Sequence, residues 1–348
     1  MPLPDLLRTL LTTPGPSGFE RDAAAAWRDA ASSFAEVGSD ALGSSWARVR
    51  ATGEDARTLA FVGHIDEIGL AVTYVDEKGF LFFRGVGGWM TEVLLAQRVL
   101  VLTREGPIPG MIGKKRAPFK KDKDEKVELE DLHIDIGARD RDDALGRVRI
   151  GDAAVLVGEP LELPNNLVAS RSLDNRIGCY VALEAARRVA DAGGAPVDIV
   201  AVAAVGEEVG DFAGARTTAY SVRPDFSIAI DVTDARDIPD ADVKAAGEAG
   251  LGRGPAIARG APLSAALFDL LFDTAADEGI AHTVDVVRGN TNTDADAYHL
   301  SRAGVRTGLV SVPTRYIHTP VETLSLDDVE NAVSLLVAVA QRLATLEA

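Results

Sequence analysis

Short, nearly unbroken apolar runs alternate along this chain with longer stretches in which apolar residues recur at helical spacing. Runs typical of buried strands lie at 58–63, 197–205, 226–232 and 307–312. Helical spacing follows at 176–192, 263–278 and 326–346, and two more helices, separated by a Pro-Gly break at 14–18, are predicted within 4–33. Because a strand that is apolar on both sides needs helices on both faces of its sheet, the pattern predicts an α/β fold.

The last predicted helix carries a start signal. Ser325 lies just before its first apolar residue, and Asp328 follows three residues later. This spacing predicts a capping box, in which each side chain accepts a hydrogen bond from the backbone N–H of the other residue.

The pattern changes between residues 70 and 163. Short alternating runs punctuated by glycine replace the helical spacing, at 80–84, 98–103, 148–150 and 153–157. Alternation of this kind predicts strands, so we expect a small β domain inserted into the α/β domain. Within it, the Lys/Asp/Glu-rich run at 114–126 predicts a mobile solvated loop.

Charge and composition narrow the possible partners and location. The 348 residues include 53 acidic and 36 basic side chains, a net charge of −17, which disfavours nucleic acids and anionic membranes. The single cysteine, Cys179, excludes an intramolecular disulfide and suits a reducing compartment. With no secretory signal pattern and no apolar window near the roughly 20 residues of a membrane span, we expect a cytoplasmic protein.

Two of the five histidines lie in segments that follow predicted strands. His64 comes directly after the 58–63 run, and Asp66 stands two residues later, on the same side of an extended chain. A carboxylate there can orient the imidazole as a metal ligand. His318 lies in a loop bracketed by Pro313 and Pro320. Taken singly, each histidine fits an ordinary surface or turn position equally well.

Carboxylates occupy the other strand ends. Glu207 and Glu208 follow the 197–205 run between two glycines, and Asp231 lies at the end of the 226–232 run. Adjacent carboxylates in an apolar segment are costly to bury unless a cation or a proton neutralises them. One of the pair can bind metal while the other acts as a general base. A solvated turn and a strand-end cap are the alternatives.

Asp174 precedes the 176–192 helix, where it could also be a helix cap. Together the set offers two imidazoles and three ligating carboxylates, with one glutamate to spare. These ligands, without thiolate, suit Zn²⁺, Co²⁺ or Mn²⁺, and one carboxylate can bridge two ions. The other histidines, His133, His282 and His299, are interpreted as structural or surface residues.

Several ordered motifs resemble the tetrahedral (TET) aminopeptidases of metallopeptidase family 42, also labelled glutamyl aminopeptidase, cellulase M or endoglucanase. The matching motifs are PGPSG at 14–18, GHIDEIG at 63–69, DLHIDIGA at 131–138, SRSLDNRIG at 170–178, GEEVG at 206–210 and PTRYIHTP at 313–320. Because they run nearly end to end at matching intervals, the resemblance is far more specific than any single motif.

The resemblance implies a metal-dependent aminopeptidase that shortens peptides from the N-terminus with two divalent ions per subunit, zinc being favoured over cobalt or manganese. His64 and Asp231 would hold one ion and Glu208 and His318 the other. Asp174 would bridge both ions. Glu207 would be the general base, and Asp66 would orient His64.

The family also implies an architecture and partners. A mixed-sheet, dizinc-exopeptidase-type catalytic domain (1–69 and 164–348) would carry a small PDZ-like β-barrel (70–163) for dimerisation. Dimers would assemble into a hollow tetrahedral homododecamer that admits short peptides. The segments 233–240, 114–124 and 289–295 depart from the family pattern. These segments resemble loops that shape the pocket and the chamber entrance, so side-chain preference is not fixed by the resemblance.

Three other functions stay open on the sequence alone. The same metals could serve a deacylase of N-acylated amino acids. A cellulase, as some family labels suggest, needs a carboxylate pair around a glycosidic bond and no metal. A catalytically silent shell subunit would keep the fold without turnover.

Overall fold

The four predicted apolar runs form the centre of one large mixed sheet. A computed structural model describes residues 2–53, 56–115 and 127–346. Among these residues the sheet comprises β1 (Glu36–Ser39), β2 (Ser45–Val49), β3 (Thr58–His64), β10 (Leu161–Leu163), β11 (Leu167–Ser170), β12 (Asp198–Ala204), β13 (Phe226–Asp234), β14 (Ala256–Gly260), β15 (Thr283–Val287), β16 (Arg306–Arg315) and β17 (Glu322–Ser325). Its order is β1-β2-β12-β3-β13-β16-β17-β11-β10, with β14 pairing β15 and β16.

Strands β12, β3, β13 and β16 are neighbours and run parallel. Their carboxyl ends therefore meet at one edge of the sheet, which is where ligands collect in α/β folds. The flanking strands are antiparallel to this core, as with β2 against β12 and β17 against β16. The mixed sheet expected from the resemblance is confirmed.

Helices cover both faces of the sheet. The helices of the described residues are α1 (Asp5–Thr12), α2 (Arg21–Ala31), α3 (Thr91–Leu94), α4 (Arg141–Leu145), α5 (Leu173–Asp191), α6 (Ala213–Val222), α7 (Val243–Ala246), α8 (Ala265–Glu278), α9 (Ala295–Tyr298) and α10 (Leu326–Arg342), with 3₁₀ turns at Leu129–Asp131 and Leu343–Thr345. Of these, α3 and α4 lie in the inserted region and pack on its barrel. Leu59 and Phe61 of β3 pack in the core formed with α1, α2, α5, α8 and α10. Ala60 and Val62 pack on the opposite side with α6 and α9. This alternation explains why the run is apolar throughout.

The inserted region contains a closed six-stranded barrel. Its strands are β4 (Gly69–Val75), β5 (Leu81–Val86), β6 (Arg98–Thr103), β7 (Gly106–Lys114), β8 (Leu132–Asp135) and β9 (Ala153–Leu156), in the closed order β4-β5-β8-β7-β6-β9. Alternate residues such as Leu70, Val99 and Ile134 fill its interior. The barrel expected from the resemblance is therefore confirmed. The solvated loop predicted at 114–126 lies outside the described residues, apart from 114 and 115.

Two local predictions are wrong. The 148–150 run is a turn instead of a strand; three alternating residues are too few to define a strand, and the side chain of Val148 simply packs into the barrel core. Ser325 does cap α10, accepting from the N–H of Asp327, but Asp328 makes no capping box. Its carboxylate instead accepts from the N–H groups of Gly252 and Gly254.

In the part of the chain that the structure describes, no helix is both long and apolar enough to cross a membrane.

Candidate metal centre and active site

The sequence-predicted histidines and carboxylates come together at the carboxyl ends of the parallel strands. His64 is the last residue of β3, Asp231 is the sixth of the nine residues of β13, and Glu207 and Glu208 lie in the turn after β12. Asp174 lies at the start of α5, and His318 follows β16. The strand order and the packing of α5 on the sheet bring these residues together, although they are separated by up to 254 positions in the chain.

The carboxylate of Asp174 lies between the two imidazoles. Its Oδ1 is 3.2 Å from Nε2 of His64, and its Oδ2 is 3.4 Å from Nε2 of His318. Two ligand atoms of one tetrahedral zinc ion are about 3.4 Å apart. Each oxygen of Asp174 is therefore spaced from its histidine as two ligands of a common ion would be.

The remaining carboxylates divide between the two histidines. Glu208 Oε2 lies 3.2 Å from His318 Nε2. Glu207 Oε2 and Asp231 Oδ1 lie 3.6 Å and 3.9 Å from His64 Nε2. Within the described part of the chain, two groups of three residues have ligand atoms close enough to share a metal ion: His64, Asp174 and Glu208, and His64, Glu207 and Asp231.

Unpaired acceptors indicate that a cation fits this cluster. Asp174 Oδ1 and Glu208 Oε1 are buried and accept no hydrogen bond from the described residues. Buried acceptors of this kind are costly unless a donor or a cation satisfies them. The donor set of imidazole and carboxylate, without thiolate, suits a divalent ion such as zinc, cobalt or manganese.

The raised pKa values of three carboxylates also indicate that a cation fits this cluster. Burial raises the pKa of Glu207 to about 10. Burial, reinforced by the charge of Asp174, raises the pKa of Glu208 to about 7. The pKa of Asp231 is also raised well above its usual value, chiefly by burial. Crowded carboxyl groups that resist ionisation become good ligands once a divalent cation supplies positive charge.

The pKa values of both histidines are raised, which favours their cationic forms beside the carboxylates. Hydrogen bonds with Asp174 and Glu208 raise the pKa of His318 to about 11. Burial works to lower the pKa of His64, but the surrounding carboxylates, Glu207 first, outweigh it and raise that pKa. Burial likewise works to raise the pKa of Asp174, and its contacts with both histidines lower it instead.

The backbone at the start of α5 is not helical, so Asp174 can lie between the two histidines without being part of the regular helix. Asp174 and Asn175 have non-helical backbone angles, so the regular helix begins after them. Asn175 Oδ1 accepts from the N–H of Gly178, and Asn175 Nδ2 donates to the carbonyl of Ile230, next to Asp231. Asn175 therefore caps the regular helix and ties it to β13, and the alternative of Asp174 as the helix cap is wrong.

Asp66 lies behind the cluster and makes more contacts than its predicted one with His64. Its Oδ1 is 3.4 Å from Nδ1 of His64. It also accepts from the Ser17 hydroxyl at 2.7 Å and from the N–H groups of Glu207 and Glu208, both at 3.1 Å. Ser17 belongs to the PGPSG motif, whose contribution to the site could not be read from the sequence.

A cavity of about 790 Å³ opens onto the cluster. Besides the predicted residues, it is lined by the 210–216 segment, the 232–234 segment and the 290–300 segment. His299, interpreted from the sequence as structural or surface, contributes to this wall. These segments surround the space beside the cluster.

Asp294 is a further buried carboxylate that the sequence did not single out. It is 2% exposed, and neither oxygen has a hydrogen-bond partner among the described residues. Burial raises its pKa to about 7. The only sequence signal is its place in the segment 289–295, which departs from the family pattern.

Comparisons with known proteins agree with this fold. The M42 glutamyl aminopeptidase family model matches residues 43–335. A lysyl aminopeptidase of Pyrococcus furiosus is 32% identical over 349 residues, covering 97% of each chain. A TET aminopeptidase from a marine-sediment Thaumarchaeota archaeon superimposes with a TM-score of 0.92 at 34% identity, covering 97% of this chain and 96% of that one.

A second solved structure has the same fold. The TET1 peptidase of Pyrococcus horikoshii, which can assemble into a tetrahedron or a large octahedral shell, has a TM-score of 0.85 at 32% identity, covering 97% of this chain and 98% of that one. Fold, site and similarity together define a peptide hydrolase of the aminopeptidase class. The chain belongs to the M42 glutamyl aminopeptidase family.

Proposed function

We propose that this protein is an aminopeptidase that removes N-terminal residues from short peptides with two divalent ions and a glutamate base. The observation that carries the proposal is the position of Asp174, whose oxygens face His64 at 3.2 Å and His318 at 3.4 Å. A carboxylate shared in this way suits two neighbouring ions.

The ligand assignment follows the family resemblance, and the distances above are compatible with it. His64 and Asp231 would hold one ion, Glu208 and His318 the other, and Asp174 would contribute to both. Zinc is the favoured metal, with cobalt or manganese as alternatives. When bound, the ions lower the pKa of the attacking water and polarise the scissile carbonyl.

The protein side chains then carry the proton transfers. A carboxylate oxygen of Glu207 accepts a proton from the attacking water as the water oxygen bonds to the carbonyl carbon. Glu207 returns this proton to the leaving nitrogen as the C–N bond breaks. Asp66 keeps Glu207 and Glu208 in place through their N–H groups.

The cavity favours a free N-terminus over a blocked one. Outside the cluster, whose carboxylates the ions would neutralise, Asp234 and Asp296 line the cavity together with Arg216, which leaves this part of the wall acidic. A cationic α-amine complements this acidic lining, whereas an acyl group carries no charge to offset it.

The test compares an aminoacyl-p-nitroanilide with its N-acetyl form, each after metal removal and readdition. We expect turnover of the free-amine compound only, its loss with chelator and its recovery with Zn²⁺ or Co²⁺. Release of acetate from the acetylated compound would indicate the deacylase instead. Sugar release from cellulose by metal-free protein would indicate the glycosidase, and a protein that takes up no metal would be a silent shell subunit.

We further propose a homo-oligomer built from dimers, with 70–163 as the dimerisation domain and 1–69 with 164–348 as the catalytic domain. The self-assembling P. horikoshii relative supports this proposal. Light scattering after size-exclusion chromatography should give about 440 kDa for a dodecamer, twelve times the 36.6 kDa chain. A monomeric mass would contradict it. Cytoplasmic location stays a prediction, to be checked by cell fractionation.

A further inference from the structure

Glu322 is a buried carboxylate next to the metal centre to which the proposed mechanism gives no role. It is the first residue of β17 and is 2% exposed. It does not line the 790 Å³ cavity, so it does not face the substrate. Its two oxygens nevertheless both accept hydrogen bonds from the backbone of the centre.

Each oxygen accepts from a different candidate ligand. Oε2 of Glu322 accepts from the N–H of Asp174 at 3.1 Å, and Oε1 accepts from the N–H of His318 at 3.0 Å. Asp174 comes from the start of α5, 148 residues earlier in the chain. One side chain therefore joins two segments that must keep a fixed separation for Asp174 and His318 to share an ion.

The sheet register places Glu322 for this contact. In the antiparallel pairing of β11 with β17, Ser170 lies opposite Glu322. The chain then runs from Ser170 directly into the segment that carries Asp174. A glutamate at this register position is within reach of both the α5 start and the loop just before β17 that carries His318.

Asp66 makes an equivalent pair of contacts with two other residues of the cluster, since it accepts hydrogen bonds from the N–H groups of Glu207 and Glu208. The two acidic side chains thus fix four residues of the cluster in pairs. Partners of this kind, behind the ligands, commonly change metal affinity when they are replaced.

We propose that Glu322 is a positioning residue that sets the separation of Asp174 and His318 and thereby the affinity of the ion on the Glu208–His318 side. The proposal rests on the two-metal centre proposed above. It assigns Glu322 no contact with substrate and no proton transfer.

The test uses Glu322→Gln in the full-length protein. Glutamine has the same shape, but its amide NH₂ replaces one acceptor, so one of the two N–H groups loses its partner. Stepwise Co²⁺ titration of the metal-free protein, followed by visible absorption with a competing chelator, reports both dissociation constants. We expect the ion on the Glu208–His318 side to bind about tenfold to a hundredfold more weakly, and the other ion, which shares only Asp174, to be weakened less.

Asp328→Asn is the matched control. Like Glu322, Asp328 is buried, does not line the cavity and accepts two backbone hydrogen bonds, from Gly252 at 2.7 Å and Gly254 at 2.6 Å. Unlike the donors to Glu322, neither glycine is a candidate metal ligand. Both variants should melt at a lower temperature than the parent. Only Glu322→Gln should change metal affinity, and parental Co²⁺ affinities in Glu322→Gln would overturn the proposal.

Glu322→Asp separates position from charge. Aspartate keeps the negative charge but is one methylene shorter, so it cannot reach both N–H groups. We expect the Glu322→Asp protein to bind the same ion weakly. If Glu322→Gln does not fold, the same titration is done with Glu322→Asp. Full affinity in Glu322→Asp beside a loss in Glu322→Gln would assign the effect to charge and overturn the positioning role.

The titration needs no peptide, so the two proposals fail in different ways. A protein that binds two ions but cleaves no peptide would contradict the proposed function, and the role of Glu322 would still be decided by its affinities. A parent protein that binds no divalent ion would overturn both.

Discussion

Glu207 and Glu208 are neighbours in the chain but lie against different histidines. Glu208 Oε2 is 3.2 Å from His318, whereas Glu207 Oε2 is 3.6 Å from His64. This geometry would also allow Glu207 to act as a metal ligand. The assignment of Glu207 as the general base therefore predicts a result that distinguishes the two roles. Replacing Glu207 with Gln removes the proton acceptor and keeps the shape, and we expect kcat to fall by about 10²–10⁴-fold with two ions retained. Kinetics together with elemental analysis of the purified variant checks this.

The matched control is Glu208→Gln, one residue away. Glu208 is assigned as a ligand, so this variant should lose about one ion per chain as well as activity. The reverse result, with metal lost from Glu207→Gln and kept by Glu208→Gln, would exchange the two roles.

Protons compete with metal at the same side chains. The pKa values of Glu208 and His318 are raised to about 7 and about 11, so the metal-free protein holds protons where a ligand must give them up. Metal affinity should therefore rise with pH, by about tenfold per pH unit for each proton released. Chelator competition across the neutral range, with calorimetry in two buffers to count protons, measures this. An affinity independent of pH would contradict it.

At the scale of elements, the close approach of α5 to β3 and β13 brings Asp174 to the strand ends. A Cβ at Gly178 would lie 2.4 Å from Asn175 Oδ1 and 2.4 Å from the carbonyl oxygen of Ile230. A Cβ at Gly63 would lie 2.5 Å from the backbone of Gly178. The missing side chains let the helix start lie directly on the strands.

Gly178→Ala should therefore push α5 away from β13 and move Asp174 out of reach of both histidines. We expect a loss of about 1–3 kcal/mol in the free energy of unfolding. We also expect metal binding to weaken beyond detection at concentrations that saturate the parent. Urea unfolding and Co²⁺ titration measure the two effects.

Gly53→Ala is the control for this change. A Cβ at Gly53 meets nothing within 4 Å. The variant should unfold and bind metal like the parent. Parental metal affinity in Gly178→Ala would show that the helix start can shift without disturbing the centre.

At the scale of the whole molecule, the cluster concentrates acidic groups in a buried place where they repel one another. Bound cations remove this repulsion and bind only the folded chain, so they stabilise it by mass action. At a metal concentration 100 times the dissociation constant, each ion contributes about 2.7 kcal/mol. Chelator should therefore lower the melting temperature by several degrees, as measured by calorimetry.

Asp174→Asn tests whether this stabilisation comes from the centre. Asparagine cannot supply two anionic oxygens to two ions, so chelator should change the melting temperature of this variant less than that of the parent. An equal shift in both proteins would assign the stabilisation to metal bound elsewhere.

How far the sequence predicts each element depends on its length and periodicity. The long apolar runs and helices are confirmed with shifts of a few residues, and Arg98–Thr103 matches its predicted bounds. Strands β1 and β14, of four and five residues, were not predicted, nor was the four-residue α9. Such short segments show too few periods to be distinguished from loops.

The amino-acid sequence is enough to predict the fold class, the inserted β region and the candidate ligands, because these predictions depend on local periodicity and on motifs at strand ends. The folded structure is needed to see that Asp174 lies between His64 and His318 and that Asn175 is the helix cap. It is also needed to see that Ser17 contacts Asp66 and that Glu322 joins the two ligand segments. These contacts depend on the strand order and on the approach of α5 to the sheet, which bring distant residues within hydrogen-bond distance, and no local pattern in the chain encodes them.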